Sequence, residues 1–167
     1  MAFEAYLDRR GTPYVVVDEA KRAVGGRPGA KLFDYIVYPT GGPPFLVDVK
    51  GRKVSGRAAA KDARQNNWVT DGDLSGMRVW QEVFGDGFET AFVFAYWLAG
   101  RGGEPRRREA AGLDFAGREY RFWVVPAREY DRHQARRSAR WRTVMVPQEI
   151  FACVSMPLER VWPAAPC

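Results

Sequence analysis

The stretch Phe33-Asp34-Tyr35-Ile36-Val37-Tyr38, followed by Leu46-Val47-Asp48-Val49-Lys50, decides how the rest of the chain is read. Each run is rich in β-branched, aromatic and aliphatic residues and is bounded by Gly and Pro, which is the pattern of a buried strand. Pro39-Thr40-Gly41-Gly42-Pro43-Pro44 between them is turn chemistry, so the two runs are expected to pair as an antiparallel hairpin. The charges do not suit an ordinary core. Asp34 interrupts the first strand, and Asp48 and Lys50 interrupt the second, on one face because side chains alternate along a strand. An isolated buried charge costs several kcal/mol or more, roughly, so such groups are paired or bind a metal.

Two readings of these three residues stand side by side. In one, Asp48 and Lys50 form an ion pair at a sheet edge and Asp34 caps a turn. In the other, carboxylates from neighbouring strands hold a hard divalent cation, which takes oxygen ligands and retains waters. A lysine beside such an ion can orient an attacking water and stabilise charge on a phosphoryl group. The gathering of all three residues at one end of one hairpin favours the second. An Asp, about a dozen residues, then Asp-x-Lys resembles the signature of the PD-(D/E)XK nuclease-like superfamily, carried here by Asp34, Asp48 and Lys50.

Length and composition agree with a nucleic-acid partner. The chain has 167 residues, enough for one domain with a real core, and 46% hydrophobic and 14% aromatic content argue against disorder. A net charge of +6 and a pI near 9.6 favour an anionic partner. Cys153 and Cys167 form no framework and no Cys/His cluster exists, which argues against zinc. No apolar run is long enough to span a membrane and no stretch resembles a signal peptide, so a cytoplasmic protein is expected.

Along the chain, residues 2–10 read as a helix with Phe3, Tyr6 and Leu7 on one face and Gly11 as the stop. Glu4 is either a carboxylate suited to a first helical turn or a further site group. Residues 13–18 are a first strand. After Lys50, a basic loop over 51–67 carries Arg52, Lys53, Arg57, Lys61 and Arg64; it is either solvated surface or a phosphate-contacting flap. Thr70 and Asp73 form a capping-box pattern that opens a helix, which Gly85 ends. Residues 90–98 are continuously apolar and predict a central strand covered on both faces. Residues 119–125 predict another strand. A helix/tail extension follows from about 127: residues 131–141 read as an Arg-rich helix, either tracking phosphates or facing solvent, then come a strand over 142–146, a short helix over 148–153 and a surface tail from Pro157. His133 lies on the exposed run and is not read as catalytic.

The chain also resembles the bacterial HYExAFE family. The matching pieces are Ala2-Phe3-Glu4, residues 13–22, Phe33-Asp34-Tyr35, Leu46-Val47-Asp48-Val49-Lys50-Gly51-Arg52, Asn67-Trp68-Val69-Thr70, Trp80-Gln81-Glu82-Val83-Phe84-Gly85, Phe92-Val93-Phe94-Ala95-Tyr96-Trp97 and Trp141-Arg142-Thr143-Val144. The HYE half of that motif is absent, and with no capping residue before the apolar stripe, the natural reading frame is expected to begin earlier. In part of the nuclease-like superfamily a polar residue of the second helix supports the site, and Gln81 is the candidate here, although no QxxxY motif follows.

The expected architecture is therefore a single α/β domain over residues 1–167, with a mixed central sheet flanked by helices and a PD-(D/E)XK, restriction-endonuclease-like core. The expected activity is Mg²⁺- or Mn²⁺-dependent hydrolysis of phosphodiesters, in DNA above RNA. Asp34 and Asp48 would ligate the metal, Lys50 would position water, Glu4 would assist, and self-association as a homodimer stays open. The alternatives are a catalytically inactive nucleic-acid-binding or assembly module with the same fold, and a structural domain with an ion-paired edge.

Overall fold

The computed structural model describes residues 1–17, 31–55, 66–99 and 112–162. The hairpin forms as expected, from β2 (Tyr35–Val37) and β3 (Phe45–Ser55), with Ile36 opposite Leu46. β1 (Tyr14–Val16) adds antiparallel to β2. The chain then crosses through β4 (Val69–Thr70) and helix α2 (Asp71–Phe84) to β5 (Glu89–Ala99), which lies parallel to β3 along its whole length. A helical crossover is what a parallel neighbour requires. β6 (Leu113–Phe115) and β7 (Arg118–Pro126) continue antiparallel, and β10 (Met156–Pro157) closes the far edge. The order is β1-β2-β3-β5-β7-β10 with β6 beside β7, a mixed sheet.

Alternation along β3 and β5 divides the core into two layers. Phe3, Tyr6 and Leu7 of helix α1 (Ala2–Arg9) cover one face, meeting Tyr35, Val47, Val93 and Phe122. Leu74, Met77 and Trp80 of α2 cover the other, over Leu46, Phe92 and Phe94. Burying side chains of this size contributes about 1.5–3 kcal/mol each. β5 is buried on both sides, as its unbroken apolar run requires. The expected α/β domain with a helix-flanked mixed sheet is what the chain adopts.

Three expectations need correction. Residues 131–141 are not a helix: α3 (Ala127–His133) stops at Gln134, and β8 (Ala135–Ser138) and β9 (Thr143–Met145) form a hairpin whose sheet runs β4-β9-β8. The basic segment after Lys50 is strand through Ser55, because β5 offers pairing partners that far; Arg57, Lys61 and Arg64 lie outside the described residues. The end of the chain is no surface tail up to Trp162. After α4 (Gln148–Val154), β10 pairs with β7, and Leu158 of α5 (Leu158–Val161) and Trp162 are buried in the α1 layer.

Candidate active site

Leu46, Asp48, Lys50 and Arg52 share the face of β3 that looks toward α2, while Val47, Val49 and Lys53 look the other way. The register of Ile36 with Leu46 and Tyr35 with Val47 ends at Asp34, where the backbone bends and Phe33 turns to the α2 layer. The β2 ladder breaks there. The Asp34 backbone N–H donates to the Val47 carbonyl at 2.8 Å, and its Oδ2 accepts the Val49 N–H at 2.7 Å. Asp34 thus grips β3 on both sides of Asp48, replacing a strand partner with its own carboxylate.

Asp48 is 5% exposed. Its Oδ2 is 2.7 Å from Lys50 Nζ, and the same nitrogen is 2.9 Å from Asp73 Oδ1. Lys31 makes a second ion pair with Asp73 Oδ1. The two aspartates titrate in opposite directions. Burial raises the Asp48 carboxyl to about 6; the Lys50 charge only partly offsets this, and Asp73 and Asp34 push it further up. Burial also works to raise Asp73, but the Lys50 charge, the Lys31 hydrogen bond and the Thr70 N–H hold it down at about 2.

Asp73 owes its place to the capping box. Thr70 Oγ1 accepts the Asp73 N–H at 3.0 Å, and Asp73 Oδ2 accepts the Thr70 N–H at 2.7 Å. Lys31 is placed by a close approach of its backbone to α2. Trp80 Nε1 donates to the Lys31 carbonyl at 2.9 Å, and a Cβ on Gly76 would lie 2.6 Å from that oxygen. Only glycine lets the chain pass there, so a helix glycine and an indole together seat the second ammonium.

The other sequence candidates fall elsewhere. Glu4 sits on α1 in the opposite layer, its Oε1 accepting the Tyr35 hydroxyl at 3.0 Å and its Oε2 paired with the terminal amine of Met1. That amine first of all, against burial and helped by Tyr35, holds its carboxyl below the usual range. Arg52 turns inward: it donates to the carbonyls of Gly51 and Asn66, at 2.9 and 3.2 Å, and to that of Trp68, whose ring centroid is 4.1 Å away. Lys53 lies over Trp97, 5.0 Å from its centroid, on the face away from Asp48. Gln81 does not reach the site. Its amide donates to the Gly85 and Phe88 carbonyls and accepts from Thr90, two turns beyond Asp73. The residue of the second helix that enters the site is Asp73, which the sequence disclosed only as a cap. A cleft of about 540 Å³ lies at that other end of α2, between Met77, Gln81, Thr90 and Asp131, and does not include Asp48 or Lys50.

The chain shares its fold with a solved structure. It superimposes on a Holliday junction resolvase, Hjc, of the archaeal hyperthermophile Archaeoglobus fulgidus, with a TM-score of 0.52 over 95% of this chain and 93% of that one, at 12% identity. No family model matches, and no curated protein does. At that identity the likeness speaks for the fold alone, and the site must be judged on its own residues.

Those residues suit a hard cation in one respect. The Asp34 charge helps to push the Asp48 carboxyl up, each has its described contacts on Oδ2, and neighbouring like charges repel unless something positive lies between them. Among the described residues no group of three or more His, Cys, Asp or Glu is arranged to enclose an ion. A cation here would rest on two carboxylates completed by water, as Mg²⁺ commonly does. The donor set fits in that form.

Proposed function

We propose that this protein is a Mg²⁺- or Mn²⁺-dependent nuclease that hydrolyses phosphodiester bonds in DNA. The observation that carries the reading is the Asp48 carboxylate: buried, near two other carboxylates, and only partly compensated by the Lys50 ammonium. Asp34 and Asp48 would hold the metal, which when bound supplies a more acidic water and a positive charge for a phosphoryl oxygen. Lys50 donates to the oxyanion that develops on the phosphoryl group or to the incoming water. Asp73 and Lys31 are positioning residues, fixing where the Lys50 ammonium points. Glu4, held by Tyr35 next to Asp34 in the chain, is the further acidic group proposed to assist from α1. Phosphate contacts fall to the basic residues Arg57, Lys61 and Arg64 and to exposed arginines of the β8–β9 hairpin. Arg52, with its N–H groups given to carbonyls, anchors the start of that basic segment instead. The resemblance to a resolvase fold supports DNA as the substrate.

A second reading is a nucleic-acid-binding or assembly module that does not cleave. It draws on Lys50 lying within salt-bridge distance of both Asp48 and Asp73, which would neutralise the cluster with no metal. Incubation of plasmid and branched DNA with the protein in Mg²⁺, Mn²⁺ and EDTA separates the two. Cleavage in metal, lost in EDTA and in Asp48→Asn, is expected; DNA binding with no cleavage in either metal would leave the second reading standing.

A further inference from the structure

The β8–β9 hairpin, hidden from sequence periodicity, presents Trp141 at its tip with 67% of its surface exposed. No other aromatic side chain among the described residues is so open; Tyr38, at 42%, comes next. The tip is built to hold a shape. The Trp141 N–H donates to Ser138 Oγ at 3.2 Å, the Arg142 N–H donates to the Ala139 carbonyl at 3.2 Å, and Arg142 has φ 47°, which residues other than glycine rarely adopt. Such backbone persists where its surroundings over-determine it, and it clusters at functional positions.

The surroundings are the first turn of α2. The Asp71 N–H donates to the Arg142 carbonyl at 2.9 Å, and Arg136 Nη1 is 2.8 Å from Asp71 Oδ2. Asp71 and Asp73 share the first turn of α2, so the hairpin tip is bolted to the turn that orients Lys50. Arg136, Arg137, Arg140 and Arg142 of the hairpin are all exposed; the Arg140 guanidinium lies 5.1 Å from the Trp141 ring centroid, while Arg136 and Arg142 face Asp71 and Arg137 lies over Trp68. An exposed indole with a guanidinium beside it suits a partner with both a flat π face and negative charge. An apolar protein surface would offer the Arg140 guanidinium no charge of opposite sign.

We propose that Trp141 is a stacking platform for an unpaired base of the nucleic acid whose phosphodiester occupies the Asp34–Asp48–Lys50 site, an inference that rests on the nuclease reading above. Stacking on an aromatic side chain is indifferent to base identity but needs a base free of its helix, so the hairpin would favour branched, flapped or gapped DNA over continuous duplex. Arg140 and Arg142 supply the salt-dependent part of the contact.

The test is binding of a branched and a continuous duplex of equal length, each carrying 2-aminopurine at the branch or at the matching position. It is run in EDTA and again in Ca²⁺, with wild type, Trp141→Ala, Trp141→Phe and Arg140→Ala. Trp141→Ala is expected to weaken branched DNA about 5- to 100-fold while shifting the duplex less than about twofold, with Trp141→Phe restoring most of the loss. Quenching of the 2-aminopurine signal should vanish with the indole. Arg140→Ala should weaken both DNAs and lower the salt slope by about one. Equal effects of Trp141→Ala on both DNAs, or none on either, would overturn the stacking role and leave the nuclease reading untouched. So would intact DNA binding by Trp141→Ala accompanied by loss of self-association in sedimentation, which would assign the indole to a protein contact. Wild type binding neither DNA in either condition would overturn both readings together.

Discussion

Asp48 and Asp73 lie within reach of one ammonium group and are both buried, yet the fold treats them oppositely. Asp73 stands at the start of a helix, where the Thr70 N–H, two lysines and the favourable end of the helix dipole all serve the charged form. Asp48 stands in mid-strand, where the backbone N–H groups are committed to the sheet, and it has one lysine and two neighbouring carboxylates. A carboxylate that the protein itself satisfies is architecture. One that it buries and leaves undercompensated has capacity for a ligand. The sheet thus carries the undercompensated carboxylate, and the helix end helps to hold the lysine beside it.

The largest effects should fall on chemistry. Lys50→Ala and Asp48→Asn are each expected to lower single-turnover cleavage of branched DNA in Mg²⁺ by about 10²–10³-fold or more, the scale seen when one group that stabilises transition-state charge is removed. Glu4→Gln, acting from the other layer, should cost less. A Lys50→Ala variant that cleaves at the wild-type rate would assign the lysine to the ion pair alone.

Asp73→Ala tests the other half of the comparison. It leaves Lys50 with only Asp48 and removes a capping partner, so urea unfolding should show a loss of about 3–5 kcal/mol. Little change would mean that the helix end does not carry the cluster.

The opposite pKa shifts predict opposite pH dependences for the metal-free protein. Asp48, raised from 3.8 to about 6, binds its proton more tightly in the folded state, so its contribution falls by roughly 3 kcal/mol as pH rises from about 4 to 6. Asp73, lowered to about 2, contributes stability that is present above about 4 and lost as pH falls toward 2. Urea unfolding against pH should therefore lose the lower slope in Asp73→Asn and the upper one in Asp48→Asn. Divalent-cation affinity should climb through pH 6, as the Asp48 proton leaves.

A smaller effect is expected at Gly76. A methyl there must displace the Lys31 backbone, so Gly76→Ala should destabilise by about 1–3 kcal/mol despite the better helix propensity of alanine. A gain in stability would mean that the approach of Lys31 to α2 is loose.

The sequence disclosed the strand half of this site and concealed the helix half. Asp48 and Lys50 announce themselves because charges two apart in an apolar run violate its alternation, and Asp34 does so in the paired run. Asp73 carries no such mark, since a capping box is complete without a ligand role, and Gln81 was the more conspicuous polar residue on that helix. Lys31 could not be placed because its position follows from a contact between Gly76 and a loop carbonyl. The β8–β9 hairpin was missed for a different reason. Ala135, Arg136 and Arg137 are all exposed, so β8 is held by backbone pairing to β9 and has no buried face to imprint a period of two. Its closely spaced arginines therefore mimic one side of a helix.

The most direct test of the account is thermal unfolding of wild type and Asp48→Asn at neutral pH, each with EDTA and with saturating Mn²⁺. If Asp48 is a ligand left undercompensated, the asparagine should raise the metal-free melting temperature by about 3–8 °C and abolish the further rise that Mn²⁺ gives the wild type. A lower melting temperature for Asp48→Asn in EDTA, with the same Mn²⁺ response as wild type, would make Asp48 an ordinary structural ion pair and contradict the metal site.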